Sequence, residues 1–213
     1  MRRQICGHGC DNYRVESAGK FKVGNRHALG EGFRENIRES DYPGLDILPS
    51  NLAYRHLDIQ FNRMKKPRKQ LRMALESLAS GYDAILLDCP PNITLLSENV
   101  FRASDIILIP VIPTVLSQRT FEQLVGFFAD KDLDTATLRP FFSMVQGRSK
   151  LHRRTMEELS ASHPEFLKTA IPFSVEVEKM GERRMPLLAY SNKGSASLAY
   201  RSLCNEILNI GLP

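Results

Sequence analysis

The sequence contains no apolar run approaching 18 residues, so it encodes no membrane-spanning helix. Its basic opening, MRRQICGHGCDNYR, has no apolar segment behind it, which argues against a secretory signal. Cysteine is scarce and scattered (Cys6, Cys10, Cys89, Cys204), a pattern that fits a reduced cytoplasmic protein better than a disulfide scaffold. Internal repeats and long low-complexity linkers are also missing, which leaves an ordinary globular domain as the reading.

What is present fits that reading. A chain of 213 residues with 42% hydrophobic and 25% charged residues suits one domain with a core of sufficient size. Charge is uneven: residues 1–80 carry 15 Lys/Arg against 9 Asp/Glu, whereas residues 81–213 carry 14 against 15. A mild basic excess suits a polyanionic partner but does not identify one. Cys6, His8 and Cys10 place three soft ligands within five residues. A structural zinc site needs four, and no second Cys/His pair lies nearby, so a flexible glycine-rich segment is the better reading.

Residues 1–44 are glycine-rich, charged and weakly periodic, and read as an irregular or divergent N-terminal segment ahead of a domain over 45–213. Gly44–Pro49 reads as a short strand. Asn62–Arg72 holds six basic residues and no acid, and leads into a helix with Leu71, Leu75, Leu78 and Ala79 on one face, stopped by Gly81 as a C′ glycine. Ala84–Leu87 is a continuous apolar run, expected for a strand buried on both faces. Thr94–Ala103 reads as helix and Ile106–Ile109 as the next strand. Ser117 is the expected cap of a helix with Phe121, Leu124, Val125 and Phe128 inward. Phe141–Val145 and Thr169–Ile171 are further strand candidates, a basic loop at Arg148–Arg154 opens a helix, and Ser195–Ile210 is a helix with Leu198, Ala199, Leu203 and Ile207 inward. Alternating strands and helices argue for α/β architecture around a mostly parallel sheet.

Asp88 ends an apolar strand and precedes Cys89-Pro90-Pro91. An acid there either anchors a ligand at the carboxyl edge of a parallel sheet or caps the following turn, and spacing alone leaves the two even. The longer stretch YDAILLDCPPNITLLSENVFRASDIILIPVIPTVLSQRTFEQL resembles the Walker B region of the ParA/Soj partition ATPases, relatives of MinD in the deviant-Walker P-loop class. The resemblance runs in order over about residues 42–210, through FFSMVQGRSKLHRR and TAIPFSVEVEKMGERRMPLLAYSNKGSASLAYRSLCNEIL.

That resemblance implies a P-loop NTPase of SIMIBI-like type, a mostly parallel sheet with helices on both faces. It assigns Asp88 as the Walker B acid holding magnesium through water, and Cys89, Pro90 and Pro91 as the switch that senses the γ-phosphate. Pro172 falls where such proteins hold adenine with backbone groups. Ser143 falls where relatives often place an asparagine near the base, and Asp105 reads as structural. The implied cofactors are ATP and Mg. The family's phosphate loop is a different matter: no G-x-x-x-x-G-K-[ST] occurs, and the sole Gly-Lys, Gly19-Lys20, is followed by Phe21. The P-loop strand and helix are therefore expected to be missing, leaving a hole in the sheet beside the Asp88 strand. The expectation is a truncated domain that hydrolyses ATP negligibly by itself, or a non-catalytic pseudo-ATPase serving as a DNA- or protein-binding module, with residues 1–44 replacing the lost strand.

Family members in their dimeric ATP form bind DNA without sequence preference through surface cations. The positions so implied here are Arg183, Arg184, Lys193 and Arg201, with a second cluster at Arg148, Lys150, Arg153 and Arg154. The Asn62–Arg72 run either contacts DNA or faces solvent. A ParB-like partner, a homodimer and a cytoplasmic, nucleoid-associated location follow from the same resemblance. The few cations of 197–213 disfavour a MinD-style membrane helix.

Overall fold

The computed structural model describes residues 3–7, 32–49, 57–89 and 93–211, which fall into two units, Met1–Ser104 and Asp105–Pro213. The first unit holds β1 (Arg3–Gly7), β2 (Arg38–Glu39), β3 (Leu45–Leu48), α1 (Leu57–Arg63), α2 (Gln70–Glu76), β4 (Tyr82–Leu87) and α3 (Leu95–Ala103). Its sheet has the order β2-β3-β1-β4, with β1 parallel to both neighbours and β2 antiparallel at the edge. Gly44 makes the β2–β3 turn possible: its φ of 83° lies in the left-handed region, and Leu45 N–H donates to Tyr42 O at 3.1 Å.

β1 corrects one expectation. The slot beside the Asp88 strand, expected to be a hole, is filled by Arg3–Gly7, with Cys6 opposite both Ile47 and Leu86. No period-2 pattern announces RQICG as a strand; two parallel neighbours supply the pairing that its sequence does not advertise.

The core of the first unit is Phe33, Phe61, Leu71, Ala74 and Leu78, with Ile85 and Leu87 of β4 packed against it. Burying a side chain of that size contributes roughly 1.5–3 kcal/mol each. Leu86, on the opposite face of β4, is 48% exposed, so β4 is not the doubly buried strand its composition suggests. α2 ends at Glu76, and Gly81 lies in a 3-10 turn (Ala79–Gly81) rather than in a left-handed cap; Ala79 is exposed. Thr94 caps α3 through a capping box, its hydroxyl accepting from Leu96 and Ser97 N–H while Ser97 Oγ accepts from Thr94 N–H.

The second unit holds β5 (Ile107–Val111), α4 (Val115–Asp130), β6 (Leu138–Phe142), α5 (Lys150–Ser162), α6 (Val175–Arg183), α7 (Leu187–Tyr190) and α8 (Ser195–Asn209). β5 and β6 pair in parallel, from Ile107 opposite Leu138 to Val111 opposite Phe142. Thr114, not Ser117, caps α4, accepting from Ser117 N–H at 3.3 Å. The strand expected over Phe141–Val145 starts earlier and stops at Phe142; Val145 forms only an isolated bridge to Pro172, and Thr169–Ile171 is not a strand.

Two clusters fill this unit. Val111, Phe121, Phe142, Leu159 and Phe166 form one, with Phe142 stacked on Phe166 at 4.4 Å and Phe121 edge-on to it at 5.4 Å. Leu167, Ile171 and Leu203 form the other. Leu198, expected inward, is 55% exposed, because the buried stripe of α8 runs through Ala196 and Leu203 instead.

Candidate nucleotide and DNA sites

The carboxyl ends of β1, β3 and β4 lie in register, Gly7 being opposite both Leu48 and Leu87. Parallel sheets present ligand chemistry at that edge. Asp88 leaves β4 there and is exposed, followed by Cys89; Pro90 and Pro91 lie outside the described residues. Cys89 is also solvent-facing as a residue, yet its Sγ turns back toward Leu87 O, 3.5 Å away. Loss of water at that turn, and then the negative charge of Asp88, push the thiol up to about 11. Asp88 thus lies exposed at the carboxyl edge, beside a thiol that stays neutral at physiological pH. A carboxylate side chain exposed at this edge fits a magnesium ion held through water. Among the described residues no group of three or more His, Cys, Asp or Glu forms a direct metal-ligand set. Of the Cys6, His8, Cys10 trio, Cys6 lies in β1, and His8 and Cys10 lie outside the described residues.

In the second unit the structure brings Ser143 and Pro172 to one edge. Ser143 N–H donates to Val111 O at 2.9 Å, Val145 N–H to Ile171 O at 3.0 Å, and Phe173 N–H to Val145 O at 3.0 Å. Between them Met144 takes a left-handed backbone (φ 53°) and is 44% exposed, a strained position for a non-glycine residue that nothing in its sequence context signals. Glu206 of α8 supports this edge from behind: its carboxylate accepts the N–H groups of Lys168 (2.6 Å) and Thr169 (2.9 Å). Desolvation raises its pKa, but these hydrogen bonds outweigh that and hold it below the usual glutamate value. Asp105 sits in the bend two residues before β5, at that strand's amino end rather than at a carboxyl edge.

The eight cations singled out for DNA are all exposed, and they differ in how they are held. Arg183 stacks over the Tyr190 ring at 4.5 Å, and Arg184 ends α6 in a left-handed conformation. Arg154 pairs with Glu158 at 2.7 Å, which leaves Arg148, Lys150 and Arg153 as the members of that cluster without a side-chain ion pair among the described residues. The cluster is braced by His152, buried among these cations: its Nδ1 accepts Gln146 N–H at 3.1 Å, so the loop ahead of α5 is tied to the helix. No sequence spacing pointed to His152 or Glu206, since each acts on backbone groups rather than on a motif partner.

Comparison with known proteins bears on this arrangement. The profile of the AAA domain family (AAA_31) matches residues 23–135. The chain is 26% identical over 176 residues to the sporulation initiation inhibitor protein Soj of Bacillus subtilis, covering 80% of this chain and 70% of Soj. It is also 26% identical over 182 residues to the chromosome partitioning protein ParA of Caulobacter vibrioides, covering 80% and 67%. A plasmid partition protein from Borrelia burgdorferi, solved bound to AMPPNP, superposes with a TM-score of 0.71 at 13% identity, covering 99% of this chain and 86% of that one; at that identity the likeness shows the fold alone. The parallel sheet, the flanking helices and the matched sequence agree: the chain belongs to the AAA domain family, as a member of its ParA/Soj partition-ATPase type.

Proposed function

We propose that this chain is the ATPase domain of a ParA-like DNA-partition system, cytoplasmic, working on Mg-ATP and nonspecific DNA with a ParB-like partner and a second copy of itself. The observation that carries this is the exposed Asp88 at the carboxyl edge of the β1–β4 sheet, inside the segment matched by the family. In this reading Asp88 is the Walker B acid that anchors magnesium through water, and the metal neutralises charge on the terminal phosphates. Cys89, Pro90 and Pro91 sense the γ-phosphate. Ser143 and Pro172 line the adenine, with Glu206 fixing the segment that leads into Pro172. Arg183, Arg184, Lys193, Arg201, Arg148, Lys150 and Arg153 contact DNA phosphates, and Arg154 serves chiefly its own helix. No described helix is long and apolar enough to cross a membrane.

Phosphoryl transfer draws most of its electrostatic stabilisation from a lysine-bearing glycine loop, and the 213-residue sequence contains no G-x-x-x-x-G-K-[ST]. The expected result is negligible phosphate release by this chain alone with Mg-ATP, indistinguishable from Asp88→Ala. Magnesium-dependent turnover that vanishes in Asp88→Ala would sink that expectation.

A second reading, a non-catalytic pseudo-ATPase, is favoured by β1, which keeps the sheet continuous without a phosphate-loop motif. Calorimetric titration with ATP, paired with DNA binding measured with and without nucleotide, separates the two. DNA affinity that depends on nucleotide supports the partition ATPase; nucleotide-independent DNA affinity supports the pseudo-ATPase.

A further inference from the structure

The basic run that joins α1 to α2 has a built geometry that its sequence does not reveal. Arg63, Lys65, Lys66, Arg68, Lys69 and Arg72 are all exposed. Two of them are occupied: Arg68 Nε lies 2.6 Å from Glu98 and Arg72 Nε 3.5 Å from Glu76. The side chains of Arg63, Lys65, Lys66 and Lys69 have no ion pair or hydrogen bond among the described residues.

The backbone that carries these four charges is held from beneath by two buried amides. Gln70, 2% exposed, donates Nε2–H to the carbonyls of Lys65 and Lys66. Asn99 of α3, 1% exposed, donates Nδ2–H to Pro67 O and to Leu95 O, both at 2.9 Å, and accepts Leu71 N–H on Oδ1 at 3.3 Å. Lys69 N–H closes the turn on Lys66 O at 3.0 Å, and Lys66 itself is left-handed (φ 56°, ψ 58°). A long polar stretch on a surface normally relaxes; here buried amides fix a strained lysine, so that neighbouring cations project from a rigid turn.

The chemistry favours one class of partner. A protein partner needs an apolar anchor to fill a pocket, and a bilayer needs apolar side chains to insert. Between Arg63 and Arg72 the apolar residues Met64, Pro67 and Leu71 all turn at least partly inward. A phosphodiester backbone asks only for cations on a surface whose shape is already set.

We infer that the Arg63–Lys69 turn is a second contact surface for duplex DNA, in the first unit, additional to the cations of the second unit. This rests on the DNA-binding reading above. Four phosphate contacts lower the slope of log K against log salt by about 0.9 each.

The test is fluorescence anisotropy of a labelled 24-base-pair duplex against the full chain over a series of KCl concentrations. The variant Arg63→Gln/Lys65→Gln/Lys66→Gln/Lys69→Gln is expected to flatten the salt slope by about 3–4 and to weaken binding at least tenfold at the low-salt end, by roughly 0.9 of slope per contact. Exchanging the same positions between Lys and Arg is expected to leave slope and affinity unchanged. If the fourfold variant misfolds by circular dichroism, Lys65→Gln/Lys69→Gln carries the test, with an expected slope change of about 2. A wild-type slope in these neutralised variants, alongside a flattened slope in Arg148→Gln/Arg153→Gln/Arg183→Gln/Arg184→Gln, overturns the turn as a DNA surface and leaves the partition reading standing. A wild-type chain that does not bind the duplex at low salt overturns both. Binding of the turn to anionic-lipid vesicles in preference to the duplex overturns the inference as well.

Discussion

The two units of this protein solve the packing problem with different materials. The first closes its core over Phe33 and Phe61 and then spends buried polar groups, Gln70, Glu98 and Asn99, on holding one surface turn. The second closes around three aromatic rings, Phe121, Phe142 and Phe166, and braces its edge from outside through Glu206. An aromatic core holds elements together and is indifferent to what the surface does. A buried amide has to be satisfied, and the groups that satisfy it are fixed with it. In the first unit, core packing and surface geometry are therefore coupled through Gln70 and Asn99; in the second the aromatic cluster is separate from the surface, whose basic loop is tied down locally by His152.

The largest effect that tests this contrast is expected from Phe166→Ala. It removes the ring that contacts both Phe121 and Phe142, and it should cost about 3–5 kcal/mol in urea unfolding while leaving the salt slope of DNA binding per folded molecule unchanged. Asn99→Ala comes next. It strands Pro67 O and Leu71 N–H, should cost about 2–3 kcal/mol, and should also speed amide exchange across 65–71. If Asn99→Ala loses stability but leaves exchange in that turn unaltered, the coupling claimed for the first unit is wrong.

Smaller is Glu206→Gln, expected to cost about 1 kcal/mol because the amide keeps one acceptor oxygen and loses the charge. The folded state holds Glu206 ionised more readily than the unfolded chain does, so near and below pH 4.5 it binds fewer protons. Its contribution is present above that pH and is lost as acid carries the solution through the lower folded value; the Gln variant should lack this part of the acid transition. Least in energy, but sharp in readout, is Cys89. Alkylation followed by peptide mass mapping should find it unreactive at pH 8.5 and reactive only on approach to about 11. Asp88→Asn removes the second of its two causes, so the onset should move down without reaching an ordinary thiol value.

Much of the fold could be read from pattern. The apolar run over Ala84–Leu87, the helical stretch Thr94–Ala103 and the Phe121/Phe128 stripe all signal elements through local chemistry, and the structure places β4, α3 and α4 there, with Thr94 as the cap of α3. What escaped has a common cause: the deciding partner is distant in sequence. Arg3–Gly7 is a strand because β3 and β4 flank it, and Leu198 points outward because the buried stripe of α8 is set by the Leu167/Ile171 cluster. The candidate site divides in the same way. The place of Asp88 at the carboxyl end of β4 was legible from the apolar run, whereas its role, like those of Ser143 and Pro172, is read from resemblance alone. Asn99, Gln70, His152 and Glu206 were not legible, because each bonds to backbone groups and leaves no side-chain motif.

The central place of β1 also bears on how the protein is made. Its partner strands are β3, about 40 residues later, and β4, about 80 residues later, so neither of its edges can be covered while the ribosome is still copying the segment between them. At about 5–20 residues per second, that leaves several seconds in which a short strand waits with open edges. Loop closure on that scale slows sheet formation more than it weakens the finished sheet. The nascent chain is therefore most vulnerable to mispairing just before Tyr82–Leu87 emerges.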